Sequence, residues 1–166
     1  MASVNLETIA RGVEDLGLPQ PDQIGFVVAN MDEAMKLYGP IFGPLKRTDY
    51  GPQTASYHGG APSAYELNFA FGRAGDMEIE LIEWISGDTP HRDFLKRGGE
   101  GMHHLRYRID SLDRWIAKVE QIGYRVTWTA RFSPEVGFAY CEREGDPLVL
   151  EFLQYPQTGD PSDANL

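Results

Sequence analysis

The chain has 166 residues, 42% hydrophobic and 24% charged, enough for one domain with a useful core or for two very small ones. Its 25 acidic against 15 basic residues leave a net charge of −10, which argues against a nucleic-acid partner or an anionic membrane surface, because both need basic patches. The single cysteine, Cys141, excludes an intrachain disulfide. Neither a signal-peptide pattern nor an apolar run near the roughly 18 residues of a membrane span is visible, so a cytoplasmic setting is expected.

In chain order, residues 4–17 come first, with Leu6, Ile9, Val13 and Leu16 at helical spacing. They predict a helix that Pro19 and Pro21 stop, giving an N-terminal helical extension over 1–20. From Gln23 the chain alternates as a strand and then turns into an amphipathic helix, with Asn30 where an N-cap is wanted. Strands are expected at 44–50, 53–58 and 65–72. Gly72–Asp76 reads as a hairpin turn into another strand from Met77. Residues 90–98 read as a short linking helix, with Pro90 at its start and Gly98 at its end. A strand from His104 leads through Ser111, a second N-cap, into another amphipathic helix. Strands at 124–131 and 136–142 and a last one from Leu148 follow. The tail from about Gln157 has few apolar residues and is expected to be loose.

The most informative feature is that the chain repeats itself. QIGFVVANMDEAMKLY from Gln23 lies over HLRYRIDSLDRWIAKV from His104, so that Phe26 falls on Tyr107, Val28 on Ile109 and Asp32 on Asp113. MEIELIEW from Met77 lies over LVLEFLQY from Leu148, so that Glu80 falls on Glu151 and Trp84 on Tyr155. The reading is an α+β fold of two tandem βαβββ modules, 21–88 and 102–155, joined by a linker helix over 89–101 and followed by a flexible tail over 156–166.

Side chains alternate across a strand, so residues of equal parity share a face. Phe26, Val28, Tyr107, Ile109, Ile79, Leu81, Leu150 and Phe152 should face the helices. Gln23, Glu80, His104 and Glu151 then share the opposite, concave face. Taken singly, Gln23 is a polar strand residue, the two glutamates are solvated acids and His104 is a core histidine. Taken together at repeat-related positions, they supply three oxygen donors and one imidazole. That set suits one divalent ion (Zn, Ni, Co, Mn or Fe) with water completing the shell, the open position a Lewis-acid catalyst requires. His103, the competitor of His104, points to the helix side by parity. His58 and His91 lie outside the matched blocks and read as surface residues. Arg106, two residues beyond His104, shares its face. It could pair with a substrate carboxylate or phosphate, or equally with one of the many acidic side chains. Tyr57, Tyr65 and Tyr140 could line the cavity, but aromatic residues on strands are more often core, and no role is assigned to them.

These residues resemble the vicinal oxygen chelate superfamily, which includes glyoxalase I, methylmalonyl-CoA epimerase, extradiol dioxygenases and bleomycin-resistance proteins. The resemblance covers about 21–155. DQIGFVV, HHLRYRI, IELIEW and LVLEFLQ look like that family's ligand-bearing strands, and the stretch from IELIEW to HHLRYRID is most similar to the epimerase branch. The resemblance implies a half-barrel-like curved mixed sheet around a metal site. It also implies an isomerase or epimerase that removes a proton alpha to a metal-bound carbonyl or thioester. Glu151 or Glu80 would be the base, the substrate a small carbonyl compound or CoA thioester, and the protein a homodimer. Two departures are plain. Gln23 stands where epimerases usually carry His, a ligand set closer to some glyoxalase I enzymes and unlike the two-His site of extradiol dioxygenases. Only Glu66 is acidic near the place of the epimerase base. A glyoxalase I-like lyase, a biosynthetic lyase or cyclase, and a non-catalytic small-molecule binder are the alternatives the same resemblance allows.

Overall fold

In a computed structural model, residues 16–156 are described. All but the end of the expected N-terminal helix, and the tail from 157, lie outside the described residues. The first repeat runs β1 (Gln23–Val28), α1 (Met31–Phe42), β2 (Lys46–Asp49), β3 (Gln53–Tyr57), β4 (Ser63–Ala74) and β5 (Met77–Ser86). A short helix, α2 (Pro90–Lys96), leads to the second: β6 (Gly101–Ile109), α3 (Leu112–Glu120), β7 (Arg125–Arg131), β8 (Gly137–Glu142) and β9 (Val149–Gln154).

Local chemistry sets the helix starts. The side chains of Asn30, Thr89 and Ser111 accept hydrogen bonds from the backbone N–H of Glu33, Arg92 and Arg114, each satisfying a donor that the first helical turn leaves free. Pro90 opens α2, where its missing N–H costs nothing. Gly75, at φ +62, makes the expected hairpin turn between β4 and β5.

The sheet is mixed and strongly curved. Within each repeat the first and last strands pair in parallel, β1 with β5 and β6 with β9, while β1 and β6 pair antiparallel and join the two halves. The order continues through β8, β7 and β3 to β4, and β4 pairs back onto β5, so the curvature runs through to closure. β2 adds to the outer edge of β4.

Strand parity decides what each face carries. Outside, Met31 and Ala34 of α1 pack on Val28, Ile79 and Leu81. Leu112, Trp115 and Val119 of α3 pack on Tyr107, Ile109, Leu150 and Phe152. Inside, a third cluster of Tyr65, Leu67, Ile82, Trp128, Phe138, Tyr140 and Leu153 lines the concave face. Burying these three apolar layers is the main driving force for the fold. It also leaves the odd residues of β1 and β9, and the even residues of β5 and β6, pointing into the enclosed space.

Candidate metal centre

Adjacent strands bring the predicted residues to one place. Gly25 of β1 lies between Glu80 of β5 and His104 of β6, and Gln23 lies between Glu78 and Arg106. β9 runs beside β6 on its other side, with Glu151 opposite Arg106. His104 Nε2 sits 3.0 Å from Glu151 Oε2 and 3.5 Å from Glu80 Oε2. One ligand atom from each of Glu80, His104 and Glu151 lies within 4.8 Å of the others, the spacing a single ion needs. Gln23 and His104 are fully buried and Glu80 is 8% exposed.

The polar atoms here lack partners of their own. Among the described residues, six buried side-chain polar atoms have no hydrogen bond, and three are Gln23 Oε1, His104 Nε2 and Glu151 Oε2. The His104–Glu151 approach is close but not aligned as a hydrogen bond. Such orphans are rare in folded proteins, and three from repeat-related strands point to a missing common partner. Two carboxylates, an amide oxygen and an imidazole nitrogen fit a divalent cation. The amide of Gln23 is already oriented, because its Nε2 donates to Glu78 Oε1 at 2.7 Å and leaves the oxygen free.

The charges are strongly coupled. Burial alone would depress His104, but its contacts with Glu151 and then Glu80 overcome that and raise it to about 9. Burial pushes the Glu80 carboxyl up, the neighbouring Glu151 adds to the push, and His104 opposes it. A cation in their midst would replace the proton that holds these groups together.

On its far side His104 meets another histidine. His103 Nδ1 lies 3.2 Å from His104 Nδ1, and the His103 ring packs edge-on against Phe94 of the linking helix α2 and near Tyr140, not under α1 or α3 as parity led the sequence reading to expect. Burial holds both His103 and His91 well below the usual histidine range, so both are neutral. A neutral His103 with its proton on Nε2 can accept the Nδ1–H of His104, an arrangement that turns Nε2 of His104 to the carboxylates.

His91 corrects the sequence reading. It is not a surface residue but is fully buried, because the first turn of α2 tucks under the sheet. Its ring lies 5.1 Å from those of His103 and Trp128, and its Nε2 is 3.3 Å from the Tyr140 hydroxyl. His58 is exposed. Tyr65 and Tyr140 line the cavity, whereas Tyr57 donates to Asp93 of α2. Glu66 is absent from the cavity wall, on the face opposite Tyr65 and Leu67.

Arg106 lines the cavity but is already engaged. Its guanidinium forms a two-pronged contact with Asp22, at 3.1 and 2.8 Å, and reaches Glu78 at 3.2 Å. Arg108 stands 3.3 Å from the same Asp22. Of the two readings the sequence leaves open, pairing with acidic neighbours is the one visible in this geometry.

The cavity above these residues has a volume of about 320 Å³. Glu78, Glu80 and Glu151 form its acidic end, and aromatic side chains make most of the remaining wall.

A family model described as "Glyoxalase/Bleomycin resistance protein/Dioxygenase superfamily" matches residues 22–142, a stretch that holds Gln23, Glu80 and His104 and ends before Glu151. An uncharacterised protein of Bacillus subtilis (strain 168), YqjC, is 30% identical over 95 residues, 57% of this chain and 61% of that protein, so the match spans about three fifths of its length. Among solved structures, a hypothetical protein from Bacillus halodurans C-125 superposes with a TM-score of 0.60 at 21% identity, over 85% of this chain and 97% of the other. Methylmalonyl-CoA epimerase from Mycobacterium tuberculosis does so with a TM-score of 0.56 at 16% identity, over 83% and 89%. A Streptomyces coelicolor methylmalonyl-CoA epimerase variant, in complex with 2-nitronate-propionyl-CoA, gives 0.59 at 17%, over 87% and 100%. At these identities the structural likeness is one of fold.

Proposed function

Because the chain belongs to the glyoxalase/bleomycin resistance protein/dioxygenase superfamily, we propose that it is a metal-dependent isomerase or epimerase that removes a proton alpha to a carbonyl or thioester. The observation that carries this reading is the convergence of Glu80, His104 and Glu151 beneath a ligand-sized cavity, beside an orphaned Gln23 oxygen.

Gln23, Glu80, His104 and Glu151 would hold one divalent ion of the zinc, nickel, cobalt, manganese or iron type. When bound, such an ion supplies Lewis acidity that polarises a carbonyl and stabilises the negative charge that develops on its oxygen. The protein's own part is proton transfer. Glu80 and Glu151 flank the cavity floor, and burial raises the proton affinity of Glu80, which suits a carboxylate that must accept a proton from carbon. The aromatic walls exclude water from the reacting carbon. A glyoxalase-type lyase or a cyclase would use the same residues, and the solvent-exchange experiment below selects the class by its product. A homodimer in a cytoplasmic setting belongs to the same proposal.

The test begins with elemental analysis of protein purified without a metal-affinity tag, beside His104→Ala. About one divalent ion per chain, lost in the variant, is expected. Solvent-deuterium exchange at the alpha carbon of a panel of ketones and acyl thioesters should then need both the metal and the carboxylates. Full exchange in Glu80→Gln and in Glu151→Gln would sink the mechanism.

A further inference from the structure

We infer, building on the proposed metal-dependent carbonyl chemistry, that the substrate is a carbonyl compound whose reacting carbon carries an aromatic or similarly bulky apolar group and no carboxylate.

Aromatic side chains line the cavity. Trp128 is the hub of one set, with ring centroids 4.6 Å from Phe138 and 5.0 Å from both Tyr65 and Tyr140. Further along β4 from Tyr65, Phe69 and Phe71 lie nearly parallel at 6.1 Å, with Tyr50 edge-on to Phe69 at 5.3 Å, and Phe69 packs against the first set. Packed rings of this kind offer a flat apolar group a mostly aromatic surface and lose little freedom on binding it.

The charge pattern argues the same way. A malonyl-type substrate carries a carboxylate on the carbon next to its reacting carbonyl, so that group must sit beside the acidic end of the cavity. Glu78, Glu80 and Glu151 already stand there. The cation at that depth, Arg106, is bound by Asp22 and Glu78. Lys46, the other cation of the lining, belongs to an exposed position on β2 and serves the mouth rather than the floor. With Glu80 and Glu151 offsetting a bound divalent ion and Arg106 offset by Asp22 and Glu78, a substrate carboxylate would add a negative charge to this end of the cavity with no free guanidinium to offset it. A neutral aryl or branched alkyl group would meet ring faces instead.

Hydroxamates test this, because they chelate a divalent ion and differ only in what they place in the cavity. On metal-loaded protein, titration calorimetry with acetohydroxamate, benzohydroxamate and the hydroxamate of malonic acid should show benzohydroxamate at least about tenfold tighter than acetohydroxamate. The malonic derivative should be the weakest. In Phe132→Ala, at the exposed rim of the cavity, and in Tyr50→Ala the benzohydroxamate advantage should shrink severalfold while acetohydroxamate binds as before. Equal affinities for the first two, or tightest binding of the malonic derivative, would overturn the inference and leave the metal reading intact. If the protein takes up no metal, the metal reading fails and the inference is read from acetophenone instead. Its ring protons should receive saturation from the stripped protein in an NMR difference experiment, and markedly less from Tyr50→Ala. No transfer to the ring would overturn the inference.

Discussion

A Cβ at position 25 would lie 1.9 Å from Cε1 of the His104 imidazole. The His104 ring crosses the β1 backbone at the one place where that strand has no side chain. Gly25→Ala should therefore push the ring off the line between Glu80 and Glu151. The expected result is a loss of divalent-ion affinity of about 100-fold or more, since a misplaced ligand is close to an absent one. Competition against a chromophoric chelator measures it, with far-UV circular dichroism as the check that the sheet survives. Unchanged affinity would mean that His104 does not ligate from this position.

His103 should act on metal through His104. Its Nδ1 faces that of His104 at 3.2 Å and fixes which nitrogen turns to the carboxylates. His103→Ala should weaken binding of the ion about 10- to 100-fold, the usual cost of losing the partner that orients a ligating histidine. His103→Asn, which keeps an acceptor, should recover part of the loss. A merely structural role would lower thermal stability in both variants and leave their affinities alike.

Metal binding should carry a proton signature. His104 is held at about 9, above its ordinary 6.5, so it is protonated at pH 7 and must lose that proton to ligate. Calorimetry in buffers of different ionisation heat should show about one proton released per ion at pH 7. Apparent affinity should rise about tenfold per pH unit up to pH 9 and then level. In chelator-stripped protein the sign reverses. The folded state binds the proton more tightly than the unfolded chain, so this stabilisation is complete below pH 6.5 and is lost as pH rises through about 9. The melting temperature of stripped protein should fall across that window.

Arg106→Ala should behave first as a stability variant. It would leave Asp22 and Glu78 facing one another without their shared cation. Both keep some contact with water, so the cost should be about 2 kcal/mol, below that of stranding a fully buried charge. Urea unfolding measures it. A variant of unchanged stability but weakened binding of an anionic compound would restore the substrate-binding role.

Much of this was legible in the sequence because strand parity is a strict geometric rule. Gln23, Glu80, His104 and Glu151 fall on the concave face for the same reason that Phe26, Ile79, Tyr107 and Phe152 fall on the helix side. Glu78 shares the parity of Glu80 and stands two residues before it, so its place on the cavity wall carried a signal that the repeat alignment, fixed on Glu80, passed over. His91 carried no such signal. It lies between the repeats on a seven-residue helix, too short for periodicity to say which side faces in. Tyr140 could be placed on the inner face by alternation, but its position opposite Glu151 depends on register, which turns and bulges decide. The engagement of Arg106 by Asp22 joins residues 84 apart and is set by the β1–β6 pairing alone.

That antiparallel pairing of β1 and β6 has a consequence for cooperativity. Gln23 and Glu80 come from one repeat, His104 and Glu151 from the other. Neither half owns enough donors to hold an ion tightly, so an ion seated among all four would rivet the halves across their seam. Separating them would mean releasing it. Free ion at 100 times its dissociation constant would then add about 2.7 kcal/mol to the cost of opening that seam. The catalytic group would double as the fastener that makes two marginal repeats unfold as one.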